Sequence, residues 1–304
     1  MLRKLGIAVL VLGAVVACGR PAADQPERLH TNEGEPPVWV DLTCPTPDPV
    51  NDPLGTARKR GGVPADFAAV AVVRCRTETR VVPGEGSWLV QITERADTPV
   101  PELVELLRRP SDPPPTGEIL CPAVAYEVPY ILLVGADGKA LLPTVPTETC
   151  GKPHEEVTDL IDALPYRPVT ETRVSQVVSQ KSLDTGCEDA WKDMITIVSP
   201  APGPAPRLPA DSGDIRVCVY TVAGDVGNLE TGYLLGEPEA SALRAALAAA
   251  GPAAPCDTPH TRFAVLRMES GAYPIAELDG CYRVQILGTT LSQLSADVVG
   301  GLTR

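Results

Sequence analysis

The chain has 304 residues, 33 of them proline, and its 39 acidic and 26 basic residues give a formal net charge of −13. This length allows two domains of ordinary size, and so much proline favours long loops over long helices. An acidic chain without a basic stripe is not expected to bind nucleic acid. Two Phe and three Trp leave a core of small aliphatic side chains, for which disulfides would compensate.

The N-terminus predicts export. Arg3 and Lys4 precede an apolar run over residues 5–16, which is shorter than the roughly 20 residues that span a bilayer. Residues 1–17 are therefore predicted to be a signal peptide. The run ends in Val15-Val16-Ala17-Cys18, which resembles a bacterial lipobox. The alternative is an ordinary signal peptide with a chance cysteine.

The lipobox resemblance implies a lipid anchor. In such signals the cysteine thiol receives diacylglycerol, and cleavage leaves Cys18 as the first residue of an acylated, palmitate-type lipoprotein. The expected location is the extracytoplasmic face of a bacterial cell membrane, where the bilayer is the first partner. Two acyl chains suffice for stable anchoring, whereas one is marginal.

Residues 18–37 are rich in Pro, Glu, Asp and Ala and have almost no large apolar side chain. Such a segment cannot offset its ordering entropy, so we expect a disordered tether. No later run is long and apolar enough to cross a bilayer. The remaining chain is predicted to form two domains, over residues 38–165 and 166–304.

Eight cysteines follow Cys18 in two sets of four with similar spacing. The sets are Cys44, Cys75, Cys121 and Cys150, then Cys187, Cys218, Cys256 and Cys281. Each set permits three pairings. Pairing of neighbours in sequence is favoured because it makes each set self-contained: 44–75, 121–150, 187–218 and 256–281.

Each set also carries the same predicted order of strand, strand, helix, strand, strand, helix. In the first, a helix follows Pro101, a hairpin turns at Asp137-Gly138, and residues 155–164 form the closing helix. In the second, a helix follows Pro238 and a hairpin turns at Ser270-Gly271. Its closing helix is predicted from the helical spacing of Leu291, Leu294, Val298 and Leu302.

The predicted fold class is therefore α+β: two tandem repeats, each a small antiparallel sheet with two helices, stapled by disulfides. A split βαβ-like sheet remains open as an alternative.

The segments Val217-Cys218-Val219-Tyr220 and Gly280-Cys281, in this order of elements, resemble a group of uncharacterised actinobacterial lipoproteins from high-GC genomes. The first set departs from the pattern, with Arg76-Thr77 after Cys75 and Thr149 before Cys150. The resemblance implies a tandem four-cysteine module and carries no activity with it.

Motifs for catalysis are missing from the sequence. It lacks Gly-Xaa-Ser-Xaa-Gly, a Walker A loop, His-Glu-Xaa-Xaa-His and Cys-Xaa-Xaa-Cys. His154 with Glu155 or Glu156 and one remote ligand could hold zinc, although a solvated helix N-terminus is the default interpretation. His260 follows Pro259 and is expected to be an exposed loop histidine.

Two further residue groups are candidates for a functional site. Glu94 with Asp97, or Glu277 with Asp279, could form a carboxylate pair for glycoside chemistry, but such pairs arise freely in an acidic chain. The three tryptophans could form a ligand platform. Trp88 is more simply a core residue, and Trp39 and Trp191 are expected to pack against disulfides.

These observations predict a membrane-anchored, non-enzymatic envelope module without catalytic residues, metal or cofactor. Its partner would be an envelope protein, a wall polymer or a small ligand, held for instance between the two halves. An extracellular enzyme with an unfamiliar site and a structural spacer are the alternatives.

Overall fold

The computed structural model describes residues 35–47, 58–113, 121–122, 126–198, 201–202, 212–286, 288 and 290–303. The predicted signal peptide, Cys18 and the tether up to residue 34 lie outside them. The described part is an α+β protein built from mostly antiparallel sheets and a few short helices.

The helices are α1 (Pro101–Arg108), α2 (Glu155–Asp162), α3 (Gln180–Thr185), α4 (Met194–Val198), α5 (Glu239–Ala249) and α6 (Ala296–Gly300). The strands are β1 (Trp39–Val40), β2 (Ala69–Val82), β3 (Gly86–Ala96), β4 (Tyr130–Gly135), β5 (Ala140–Leu141), β6 (Arg167–Val178), β7 (Ala190–Lys192), β8 (Ala201–Pro202), β9 (Ile215–Ala223), β10 (Val226–Leu235), β11 (Gly251–Pro252), β12 (Arg262–Arg267), β13 (Ile275–Glu277), β14 (Arg283–Gln285) and β15 (Thr290–Gln293).

The chain divides into two compact units. Unit 1 takes the described residues within Met1–Thr43, Leu54–Val73 and Ala96–Tyr166, and unit 2 takes those within Cys44–Pro53, Arg74–Arg95 and Arg167–Arg304. The last boundary lies one residue from the predicted one at 165/166. Residues 74–95, predicted for the first domain, instead group with unit 2, because β3 pairs with β6 from Ser87 to Arg95.

Unit 1 places the strands β1, β5, β4 and the start of β2 side by side. Alternate strand residues point to opposite faces, so each face buries its own cluster. The face that packs against α1 and α2 buries Leu103, Leu107, Ile131, Val157 and Ile161. The other face buries Leu132, Val134 and Leu142. Helices α1 and α2 contact each other on the first face.

Unit 2 contains the rest of β2 with β3 and β6, and a larger sheet in the order β11-β15-β14-β13-β12-β9-β10-β7, where β8 pairs with β15. One face of the larger sheet packs against α5 and α6 through a cluster that includes Leu243, Leu247 and Val299. The opposite face buries Tyr220 stacked on Phe263, with centroids 5.3 Å apart, beside Cys187 and Cys218.

Four disulfides join neighbours in sequence, which is the pairing that the sequence favoured. They are Cys44–Cys75, Cys121–Cys150, Cys187–Cys218 and Cys256–Cys281. Their loops span 25 to 31 residues. In the loop-entropy model, a crosslink of this span stabilises a fold by about 3 to 4 kcal/mol.

The local predictions for α1, α2 and α5 are confirmed, as are both hairpins. The first hairpin turns differently from the expected pattern, in which both central residues take positive φ: Gly138 does, at +80°, and Asp137 does not. Gly138 N–H donates to Gly135 O at 3.0 Å, and the left-handed glycine at the end of the turn is typical of the longer hairpin loops.

The predicted closing helix through Leu291 is wrong. Leu291 lies in β15, which pairs with β14, and α6 begins only after Ser295, whose hydroxyl accepts a hydrogen bond from Val298 N–H. The helical spacing of the leucines does not decide the structure here, because Leu291 pairs with Gln285 in the sheet. Strand β6 was not predicted at all. None of the helices in the described part of the chain is long and apolar enough to cross a membrane.

Candidate functional site

A cleft in unit 1 opens where α1 ends and α2 begins, with a volume of about 240 Å³. We call it the α1–α2 cleft. Its walls are Leu106, Arg109, Pro110, Asp112, Pro146, His154, Glu156 and Val157. Backbone hydrogen bonds fix these walls: Asp112 N–H donates to Thr147 O at 2.9 Å, and His154 N–H donates to Pro146 O at 3.1 Å.

Charged side chains of both signs border the α1–α2 cleft. Arg109 Nη1 lies 2.6 Å from Glu156 Oε1, and His154 Nε2 lies 3.4 Å from Asp112 Oδ1. Arg109, Glu156 and Asp112 are about half exposed, and His154 is 26% exposed. Pairs this exposed are screened by solvent and hold each other weakly. The apolar part of the lining comes from Leu106, Val157 and the two prolines.

Unit 2 holds a very different group, the buried ion cluster of Asp193, His260, Glu277 and Arg283. His260 Nε2 lies 2.8 Å from Asp193 Oδ2, and Nδ1 lies 3.1 Å from Glu277 Oε1. Both carboxylates are fully buried and the imidazole side chain is 4% exposed. The expectation of an exposed His260 is therefore wrong.

The carboxylates of this cluster have further partners. Arg283 donates to Glu277 through its backbone N–H at 2.9 Å and through its guanidinium. Asp193 accepts from Ile195 N–H at 3.2 Å and from the Thr196 hydroxyl at 2.6 Å. Asp193 thus holds the start of α4 as well as His260. Charges this deeply buried persist only when paired and hydrogen-bonded.

The protonation states of the cluster follow from its geometry. Burial alone would lower the pKa of His260, but the hydrogen bonds to Asp193 and Glu277 outweigh it and raise that pKa to about 9. Burial likewise opposes ionisation of both carboxyls, yet hydrogen bonds from His260 and the other donors leave the pKa values of Asp193 and Glu277 below their usual range. At neutral pH the cluster holds two cations and two anions.

This arrangement suits structure better than proton transfer. A general base needs a free nitrogen within reach of a substrate proton. Both nitrogens of His260 donate to carboxylates, and the ring is buried. The cluster therefore joins the segments just before β12 and α4 to the strands β13 and β14.

The other acidic candidates also have structural partners. Glu94 lies 2.8 Å from Arg74 and 3.2 Å from Arg76. Asp279 accepts from Thr261 N–H at 2.7 Å. At least one carboxylate of each predicted pair is therefore already bound to other protein groups, which does not favour glycoside chemistry. Within the described ranges, no group of three or more His, Cys, Asp or Glu side chains could hold a metal ion, so the zinc hypothesis for His154 finds no ligand set there.

The tryptophans are separate from one another. Trp88 is half-buried under Arg173, with the guanidinium carbon 5.6 Å from its ring centroid, and is not the core residue expected. Trp39 is 46% exposed and meets Phe67 edge-on. Trp191 packs against the cluster that contains Cys187 and Cys218.

Sequence reasoning missed the buried ion cluster because its members lie up to 90 residues apart, between Asp193 and Arg283. The available signal was weak: Glu277 is the one charged residue in the otherwise apolar run over residues 275–278. The α1–α2 cleft was missed because its charged residues looked like ordinary surface. Comparison with protein-family models, curated proteins and solved structures finds no match to this chain.

Proposed function

We propose that the chain is an exported bacterial lipoprotein, anchored through diacylglycerol on Cys18 to the extracytoplasmic face of the cell membrane. There it serves as a non-enzymatic binding module for an envelope component or a small ligand. The alternative functions are an extracellular enzyme with an unfamiliar site and a structural spacer. Both would have the same lipid anchor, but the folded part would have a different role.

The observation that carries the anchor is the odd number of cysteines. The chain has nine cysteines, and the four disulfides use eight of them. The ninth is Cys18, at the end of the apolar run. Disulfides persist in oxidising compartments outside the cytoplasm. An odd cysteine in such a protein indicates a role other than pairing within the chain. Lipidation supplies one.

The binding role is supported by the α1–α2 cleft and by the state of His260. The cleft places charged side chains beside an apolar floor, and small-molecule sites combine an apolar lining with a few polar groups. His260, in contrast, is engaged through both nitrogens.

A tandem duplication is part of the proposal. The order β2, β3, α1, β4, β5, α2 is matched by β9, β10, α5, β12, β13 and, later, α6. The disulfides fall at equivalent places, with separations of 31 and 29 residues against 31 and 25. The second half adds β14 and β15 before α6, so the copies would have diverged.

The anchor is tested by comparing the wild-type chain with Cys18→Ala in a bacterial host that processes lipoproteins. Membrane fractionation and labelling with a palmitate analogue are the measurements. We expect the wild type in the membrane fraction with label, and the variant unlabelled and released. Cys121→Ala is the matched control, because it removes a different cysteine and is expected to keep both label and membrane location. Label retained by Cys18→Ala would refute the proposal.

A further inference from the structure

The larger sheet of unit 2 brings two arginines together that are far apart in the sequence. Arg216 on β9 lies directly opposite Arg267 on β12, and Leu234 on β10 lies opposite Arg216 on its other side. Directly opposed residues place their side chains on the same face of a sheet. Leu234 is 54% exposed and Arg267 is exposed, so this row of side chains faces solvent.

The row continues to an aromatic side chain, Tyr273, which lies opposite Arg267. Two backbone hydrogen bonds of 2.9 Å and 3.0 Å flank this pair: Leu266 N–H to Pro274 O and Met268 N–H to Ala272 O. Tyr273 is 58% exposed and meets Trp191 edge-on, with the ring centroids 5.7 Å apart. We call Leu234, Arg216, Arg267, Tyr273 and Trp191 the arginine–aromatic row.

The two arginines of the row lack an anionic partner within the described residues. Arg216 Nη1 donates to Thr185 O, and Arg267 Nη1 donates to Gly186 O at 3.3 Å. Each guanidinium has five N–H donors, so these contacts leave most of them for another acceptor. Like charges directly opposite each other in a sheet destabilise it, and an anion between them would remove that repulsion.

The contacts with α3 also support a structural role, because a cation is favourable at the C-terminal end of a helix. That role accounts for one donor of each arginine. It does not explain why two cations lie side by side without a carboxylate in a chain of net charge −13. It also leaves the exposed ring of Tyr273 beside them unexplained.

We propose that the arginine–aromatic row binds an acidic oligosaccharide, a short chain of sugar rings that carry carboxylates. Guanidinium groups bind a carboxylate through parallel N–H···O bonds, and the faces of Tyr273 and Trp191 offer apolar surface to a sugar ring. Three steps between neighbouring strands make the row about 14 Å long, which favours several linked rings over one. A nucleic acid is disfavoured, because its binding requires many cations to neutralise the phosphates.

This inference names a ligand class for the binding role proposed above and places it on a surface separate from the α1–α2 cleft. The row lies entirely within unit 2, and its binding does not depend on the lipid anchor. The two proposals therefore fail separately: binding is measured on the purified protein, and the anchor is measured by fractionation of Cys18→Ala.

The experiment is calorimetric titration of the purified full chain with trigalacturonic acid and two matched probes. The methyl ester of the same trisaccharide keeps the rings and removes the charges, and inorganic triphosphate keeps the charge and removes the rings. We expect trigalacturonic acid to bind with a dissociation constant of about 1 mM or tighter, and both probes to bind at least about tenfold more weakly. Absence of binding up to about 10 mM, or equal binding of triphosphate, would overturn the inference.

Variants locate the binding on the sheet. Arg267→Gln and Tyr273→Ala are each expected to weaken the binding of trigalacturonic acid at least about tenfold, with unchanged circular dichroism. Arg262→Gln is the matched control: Arg262 lies on the same strand but five positions away, so it faces the opposite side, and it pairs with Glu230 at 2.8 Å.

The control separates the row from net charge, because Arg262→Gln and Arg267→Gln change that charge equally. Equal weakening in both would contradict the assignment. A purely structural role of Arg267 would lower the free energy of unfolding of Arg267→Gln and leave the affinity of the folded variant unchanged, which would also contradict it.

Discussion

His154 and His260 have similar neighbours in the sequence but very different environments in the folded protein. Each follows a proline and each has acidic partners, yet His154 borders an open cleft in unit 1 while His260 lies inside the buried ion cluster of unit 2. The distance to the carboxylate is 3.4 Å in the first case and 2.8 Å in the second. The two histidines therefore differ in burial: His154 forms a partly exposed ion pair, and His260 forms a buried one that stabilises the fold.

The largest expected effect is the loss of the buried imidazole. His260→Ala leaves Asp193 and Glu277 buried without their shared cation, which costs about 3–5 kcal/mol of unfolding free energy. His154→Ala, in the half-exposed pair, is expected to cost about 0–1 kcal/mol. Denaturant unfolding of both variants measures the difference. Similar losses in the two would remove the contrast between the sites.

The pH dependence of stability tests the same contrast. Because folding raises the pKa of His260 from 6.5 to about 9, its contribution is complete below about pH 6.5 and is lost as pH rises through about 9. The loss amounts to about 3 kcal/mol. Unfolding free energies between pH 6 and pH 10 should show this decline in the wild type and a flatter curve in His260→Ala. A wild-type curve as flat as the variant's would contradict it.

The two arginines provide a smaller comparison. Arg283→Gln removes a charged partner from the fully buried Glu277 and should cost about 1.5–3 kcal/mol. Arg109→Gln opens an exposed pair and should cost no more than about 1 kcal/mol. Thermal unfolding of the two variants, with disulfides intact, is the measurement. A greater loss from Arg109→Gln would indicate that the cleft pair is structural.

The smallest effect concerns helix capping. His154 precedes α2 without a side-chain cap, whereas Ser179 before α3 accepts a hydrogen bond from Ser182 N–H at 3.0 Å. His154→Ser should therefore raise the unfolding free energy by about 0.5–1 kcal/mol, and Ser179→Ala should lower it by about 1 kcal/mol. A lower unfolding free energy for the His154→Ser variant would show that the contact between His154 and Asp112 stabilises the fold more than a serine cap does.

Local patterns predicted several elements well. Helix α1 begins at the predicted proline, and its apolar spacing places Leu103 and Leu107 in the core. The Asp137-Gly138 turn marks a hairpin because glycine readily adopts the positive φ that the loop requires. In both places the determining contacts lie within a few residues along the chain.

The candidate sites could not be predicted in this way. Asp193, His260 and Glu277 come together only when β12 pairs with β13 and the segment before α4 packs beside them. The same applies to Leu291, whose helical spacing was overridden by pairing between β14 and β15. The cleft joins the end of α1 to the start of α2, 47 residues apart at Arg108 and Glu155.

The sequence by itself determined the helices with strong apolar spacing, the tight turns and a cysteine order in which neighbouring residues pair. These features depend on short-range sterics, hydrophobic periodicity and the modest entropy of closing short loops. Tertiary structure alone decided which charged side chains are buried and which border a cleft. The physical reason is that desolvation and ion pairing depend on neighbours that are distant in the chain.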